Sequence, residues 1–179
     1  MVHLVKHSVS PDGIHLPTFH LRYWRAIHAE LMTHRVFSRN ARSSRAVPGR
    51  MLLTEPIFIP QFGMNKPGMQ SEILASPELQ DKWALEWAEL ANITRDYVER
   101  WHEEGMHKQW ANRPLEWFGW IDVLVTSTSW SNFFELRISD YAQPEFDKLA
   151  NMMYNALAKS TPQELKPGEW HLPYVDRPE

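Results

Sequence analysis

The sequence predicts one domain in which strands and helices are mixed, and three observations predict it. The chain has 179 residues, 43% hydrophobic and 23% charged, enough for one sizeable core, and no repeat or linker divides it, so residues 1–179 read as a single domain. Several short runs rich in β-branched or alternating apolar residues read as strands. Two longer stretches place apolar residues at spacings of three and four, the signature of helices with one buried face.

In chain order, residues 2–9 predict a short strand. Ser10-Pro11-Asp12-Gly13 then predicts a turn, because Pro presets φ and Gly accepts a positive one. Residues 15–22, with Leu16, Phe19 and Leu21, predict a second strand. Trp24, Ile27, His28 and Leu31 predict a helix over 23–32. Residues 33–45 read as an irregular connection closed by Pro48-Gly49, residues 50–59 as a strand, and residues 60–70 as a connecting loop. Ser76-Pro77-Glu78 opens a helix running to 104, with Ser as N-cap and Pro in the first turn; Gly105 ends it. Its stripe of Trp83, Trp87, Leu90, Ala91, Tyr97, Val98 and Trp101 reads as core or subunit packing. A short helix over 106–113, a strand over 120–128, a short helix over 130–136 and a helix over 142–158 follow. The Pro-rich tail from Lys159 is expected to wrap the surface.

The segment richest in chemistry is Thr33-His34-Arg35-Val36-Phe37-Ser38-Arg39-Asn40-Ala41-Arg42-Ser43-Ser44-Arg45. With Arg50 it holds five of the 19 Lys and Arg residues, and no acid lies between Glu30 and Glu55, in a chain whose net charge is -3. Guanidinium groups bind phosphate and carboxylate in bidentate fashion, and hydroxyls complete such contacts. A local basic segment in an acidic chain suits a small anionic ligand better than bulk nucleic acid.

Other chemistries are excluded by what the sequence lacks. It has no cysteine, hence no disulfide, thiolate metal site or cysteine nucleophile. It has nine histidines but no HExxH pair, and His28 and His34 are six apart, so no metal site is expected. Neither glycine-rich nucleotide fingerprint and no GxSxG elbow is present. No signal peptide and no apolar window of membrane-spanning length is seen, which leads to the expectation of a cytoplasmic protein.

His34-Arg35, seven residues, then Ser43-Ser44-Arg45 resembles the RHR-x7-S signature of flavin-dependent thymidylate synthases, with Ser38, Asn40 and Ser43 repeating that family's spacer pattern. Asn132-Phe133-Phe134-Glu135-Leu136-Arg137 followed by Ala142-Gln143-Pro144-Glu145 is similar to the family's second motif. The resemblance covers residues 16–158 and implies an α+β fold, an antiparallel sheet with flanking helices, assembled as a homotetramer with active sites between subunits. It implies transfer of a one-carbon unit from methylenetetrahydrofolate to C5 of a pyrimidine nucleotide, dUMP to dTMP by default, with FAD as cofactor and NADPH as reductant. Absence of cysteine is compatible with that route. By resemblance, His34, Arg35, Asn40 and Asn132 contact flavin; Ser43, Ser44 and Arg45 hold the substrate phosphate; and Arg137 faces the pyrimidine, making Arg137 and Ser43 the catalytic candidates.

The sequence departs from the family at Thr33 for the first Arg, Ala41 for an acid, Ala46 for a Tyr and Glu30 for a Gln, while Arg39 and Arg42 add charge that could replace the one lost at Thr33. His107-Lys108-Gln109 and Asn112-Arg113 lie near where the family places another substrate arginine, without a fixed register. Two alternatives stay open: the same chemistry on dCMP or UMP, or a non-catalytic module holding a nucleotide or single-stranded nucleic acid.

Overall fold

The chain reverses at Gly13, where φ is +77° and the Gly13 N–H donates to the Ser10 carbonyl at 2.9 Å. In the computed structural model, which describes residues 1–68, 71 and 73–175, this turn joins β1 (Val2–Val9) to β2 (His15–Trp24) as an antiparallel hairpin. On its other side β2 pairs antiparallel with β4 (Trp120–Thr126), which pairs with the short edge strand β3 (Ser38–Ala41). The sheet order is β3-β4-β2-β1-β5, and β5 (Gln163–Glu164) is the one parallel addition among the described residues, beside Ser8 and Val9.

The pleat divides this sheet into two faces. Phe19, Leu21 and Tyr23 of β2 stand opposite Val125, Val123 and Ile121 of β4, and all six are buried. Against that face packs α6 (Pro144–Ala158), whose Phe146, Leu149, Ala150 and Met153 recur at helical spacing, with Phe133 of α5 (Ser131–Arg137) beside it. The other face is polar. There Thr18 bonds Thr126 at 2.6 Å, and the tail is held by His171, which bridges Thr18 at 2.8 Å and Ser8 at 2.9 Å, and by Tyr174 on His20 at 2.9 Å. The expected surface-wrapping tail is thus observed, with residues 176–179 outside the described residues.

The long helix is α3 (Pro77–Glu103), capped by Ser76, whose Oγ accepts the Leu79 N–H at 3.4 Å, and followed by Gly105 at φ +87°. Its predicted stripe divides in two. Ala91 and Val98 are buried, and Trp87 packs edge-on to Trp24 and Phe118, whereas Leu90 and Tyr97 are exposed together with Ile93.

Three expected elements are corrected. Residues 50–59 are not a strand: α2 (Gly49–Thr54) is helical, and the extended run after it is unpaired. That run is held by the Phe58 N–H on the Phe118 carbonyl at 2.7 Å and by the Trp87 and Trp120 indoles on the carbonyls of Phe58 and Pro56 at 2.9 Å. The expected helix over 23–32 loses its start, because Tyr23 and Trp24 pair with Ile121 and Trp120 at the end of β2; a 3-10 turn, Arg25–Ile27, then leads into α1 (His28–Met32). The arginine segment is not irregular throughout, since β3 lies within it, followed by a 3-10 turn at Ser44–Ala46. The helix expected over 106–113 is α4 (Lys108–Ala111) followed by a 3-10 turn, Arg113–Trp117. The expected loop over 60–70 is irregular where described, with its last two residues outside the described residues.

Leu21, fully buried between β4 and α6, should lose about 2–5 kcal/mol of stability on replacement by Ala, whereas Leu85→Ala on the exposed side of α3 should change it by no more than about 0.5 kcal/mol. Urea unfolding of the two variants checks this ordering.

Candidate functional site

Helix α5 ends at Arg137, and its turn packs on α6, so the guanidinium emerges beside the end of α1. Arg137 Nε donates to His34 Nε2 at 3.0 Å, Nη1 to Glu30 Oε2 at 2.9 Å and Nη2 to Thr33 Oγ1 at 3.4 Å. Its Cζ lies 4.6 Å from the centre of the Phe146 ring. The two motif segments therefore meet, joined by a hydrogen bond between residues 103 positions apart. Arg carries five N–H donors, of which three are engaged here, so the outer edge of the guanidinium remains available.

His34 is buried, its ring stacked on Phe37 at 5.6 Å and edge-on to Phe133 at 4.9 Å. Burial first, then the nearby charges of Arg137 and Arg39, hold its pKa below the ordinary histidine value. A neutral ring that accepts at Nε2 carries its proton on Nδ1. Burial raises the Tyr23 phenol and lowers His28, which share a 2.7 Å hydrogen bond.

The remaining arginines of the segment fall into two kinds. Arg39 donates through Nη1 to the carbonyls of Leu31, Met32 and His34 at 3.2, 2.9 and 3.1 Å, closing the C-terminus of α1. Arg42 pairs with Asp122 at 3.2 Å and Glu55 at 3.4 Å, in a network that Arg22 completes by binding both acids. Neither supplies a free charge in place of the one missing at Thr33, which corrects that expectation. Arg35 and Arg45 are the other kind: both are exposed and make no hydrogen bond or ion pair through their side chains among the described residues.

Asn40 is exposed on β3, opposite Leu124 of β4, and Asn132 is exposed in the first turn of α5. Ser43 is exposed and its Oγ accepts the Arg45 N–H at 3.3 Å. Ser44, expected at the phosphate, is instead buried, and its hydroxyl donates to Glu116. Glu116 also pairs with Arg25 at 3.1 Å and Arg113 at 3.0 Å. A small cleft lined by Arg25, Arg42, Ser44 and Glu116 opens beside this turn. The four residues of β3, about 13 Å of strand, separate the Arg137 cluster from Ser43 and Arg45, and no hydrogen bond or ion pair joins the two groups among the described residues. Asn112, fully buried, stands out in the sequence only as the neighbour of Arg113, with no role of its own; Glu116, Glu55 and Asp122 carry one sequence signal, that acids absent from the basic segment must come from elsewhere.

The profile of the family described as thymidylate synthase complementing protein matches residues 10–163. The chain belongs to that family. Its fold is similar to the crystal structure of a UMP/dUMP methylase, PolB, from Streptomyces cacaoi bound with 5-Br UMP, at a TM-score of 0.73 and 19% identity, covering 89% of this chain and 88% of that one. A second structure of PolB, bound with 5-Br dUMP, matches at a TM-score of 0.64 and 18% identity, covering 81% of this chain and 66% of that one. At these identities the likeness establishes a shared fold. No curated protein matches the chain in sequence. The family's α+β architecture is the one observed, with four strands antiparallel and helices on the apolar face. No helix among the described residues is long and apolar enough to cross a membrane.

His34, His28 and His171 all sit below the ordinary histidine value of 6.5, each chiefly through burial. The unfolded chain therefore binds more protons than the folded one as pH drops below about 6.5, and stability falls with it. The stability gained by keeping these rings neutral is present above that pH and is lost as pH falls through their lowered folded values. Urea midpoints should decline as pH falls from 6.5 to 5. A midpoint that rises on acidification would contradict the buried neutral state.

Proposed function

We propose that this protein transfers a one-carbon unit from methylenetetrahydrofolate to C5 of a pyrimidine nucleotide, with FAD as cofactor and NADPH as reductant. The observation that carries the reading is the contact between Arg137 and His34, which unites the two motif segments within the span matched by the family. The donor set also fits anionic ligands: Arg35 and Arg45 are exposed with no carboxylate partner among the described residues, and Asn40, Ser43 and Asn132 are exposed beside them or beside Arg137 in sequence. His34, Arg35, Asn40 and Asn132 would hold FAD, with His34 acting through Arg137 because its ring is packed between Phe37 and Phe133. When bound, FAD supplies the hydride and relays the one-carbon unit.

The residues of this chain then do the following. The Ser43 hydroxyl and Arg45 hold the 5′-phosphate dianion. Arg137 turns its free N–H donors to a pyrimidine carbonyl and stabilises the negative charge that develops as C5 becomes nucleophilic. His34, neutral, accepts from Arg137 Nε and fixes the plane of the guanidinium. Glu30 accepts from Nη1 and keeps the cation from collapsing elsewhere. Separation of Arg45 from Arg137 within one chain, together with the exposed Leu90, Ile93 and Tyr97 on α3, supports a homotetramer whose sites form between subunits. We place the protein in the cytoplasm.

The default substrate is dUMP. UMP is the second reading, favoured by the similarity to a protein that acts on both UMP and dUMP. Tritium release from C5-labelled dUMP, UMP and dCMP, with methylenetetrahydrofolate, NADPH and FAD, tests the proposal. Release from dUMP or UMP is expected. Release from dCMP alone would replace the substrate, and no release with no flavin bound would overturn the reading.

Arg45→Ala should weaken nucleotide binding about 10- to 100-fold, the loss expected for a hydrogen bond to a charged group, with little change in stability. Arg137→Ala should lower kcat by about 100-fold or more, as for removal of a donor to developing negative charge. Calorimetric affinities and steady-state kinetics on the two variants read these effects separately.

A further inference from the structure

The turn that bears Ser43 and Arg45 is shaped from behind by one side chain. Asn112, at the end of α4, has no exposed surface. Its Nδ2 donates to the Ser44 carbonyl at 3.0 Å and the Val47 carbonyl at 3.2 Å. Its Oδ1 faces His102 Nε2 at 3.0 Å, so the carboxamide has both donors and its acceptor engaged. Both donors go to the two ends of a single four-residue turn. With Ser44 and Val47 drawn inward, Ser44 also donates its hydroxyl to Glu116, and the side chains left facing outward are those of Ser43, Arg45 and Ala46.

His102 is held in turn. Its ring occupies the space where a Cβ on Gly49 would stand, at 2.3 Å from Nε2, so any larger residue at position 49 displaces it. The start of α2, the end of α3, the end of α4 and the turn at residues 43–47 thus converge on one buried amide.

We propose that Asn112 is a positioning residue for anion binding: its carboxamide sets the turn from which Ser43 and Arg45 contact the nucleotide phosphate. This rests on the phosphate role proposed above for those two residues. Asn112 touches no ligand and acts through Arg45. An amide is suited to the task because it is neutral, and so can be buried beneath a cationic surface without the cost of desolvating a charge. It also offers two donors in one plane to two carbonyls.

The test is a double-mutant cycle on the full chain, read as dUMP affinity by calorimetry and stability by urea unfolding. Asn112→Ala should weaken dUMP binding by about tenfold, and the same change made in Arg45→Ala should weaken it by less than about twofold. His102→Phe, which fills the same space without donating to Oδ1, should weaken binding in the same direction, and it serves as the reporter if Asn112→Ala does not fold. Equal losses in both backgrounds would mark Asn112 as merely structural and overturn the proposal. So would dUMP affinity unchanged in Asn112→Ala, or in His102→Phe when it is the reporter, while Arg45→Ala loses binding; the phosphate role would then stand alone. Unchanged affinity in Arg45→Ala itself would remove the phosphate role, and this proposal with it.

Discussion

Arg137 holds its guanidinium between His34, Glu30 and Thr33 with the Phe146 ring beneath, and this arrangement ties together parts of the chain that the sheet alone would leave apart. The hydrogen bond to His34 can exist only if the imidazole is neutral. A protonated ring would set N–H against N–H and cation against cation. Burial by Phe37 and Phe133 and the field of two arginines enforce the neutral form, so the apolar core and the site impose the same requirement. The cluster is therefore built on a packed wall, from which the guanidinium emerges with two of its five N–H donors unengaged.

The same logic separates the arginines that serve the fold from those free to bind. Arg39 satisfies three carbonyls at the end of a five-residue helix too short to be stable by itself. Arg42 and Arg22 share Glu55 and Asp122, fixing the segment after α2 against β2 and β4. Individual surface pairs contribute little, but a network in which each acid meets two arginines holds a geometry that isolated pairs do not. Within residues 33–45, the arginines that remain exposed and without an acid partner among the described residues are Arg35 on one side of β3 and Arg45 on the other.

Much of this was legible in the sequence where local chemistry decides local structure. Ser76, Pro77 and Gly105 mark the ends of α3, and Pro11 to Gly13 marks the hairpin. The motif segments marked His34 and Arg137 as site residues, but their hydrogen bond to each other is seen only in the fold. The failures share a cause: the deciding partner is distant in sequence. Residues 50–59 hold two short apolar pieces that periodicity cannot assign; the first is helical in α2, and the form of the second is set by Phe118 and the indoles of Trp87 and Trp120. Trp24 imitates a helical stripe with Ile27 and Leu31, yet pairs with Trp120. The basic segment looked free of acids because Glu116, Glu55 and Asp122 reach it only through the fold, and no pattern around Asn112 announces its role.

In the folded protein His34 is a neutral acceptor for Arg137. Nitrogen-15 NMR of the histidine rings measures this directly, since the shifts of the two ring nitrogens report both charge and tautomer. Expected are a neutral His34 with its proton on Nδ1 at pH 7, an Nε2 that takes up its proton only below the ordinary histidine value, and a changed Nε2 shift in Arg137→Ala. A His34 protonated at both nitrogens at pH 7, or carrying its proton on Nε2, would contradict it.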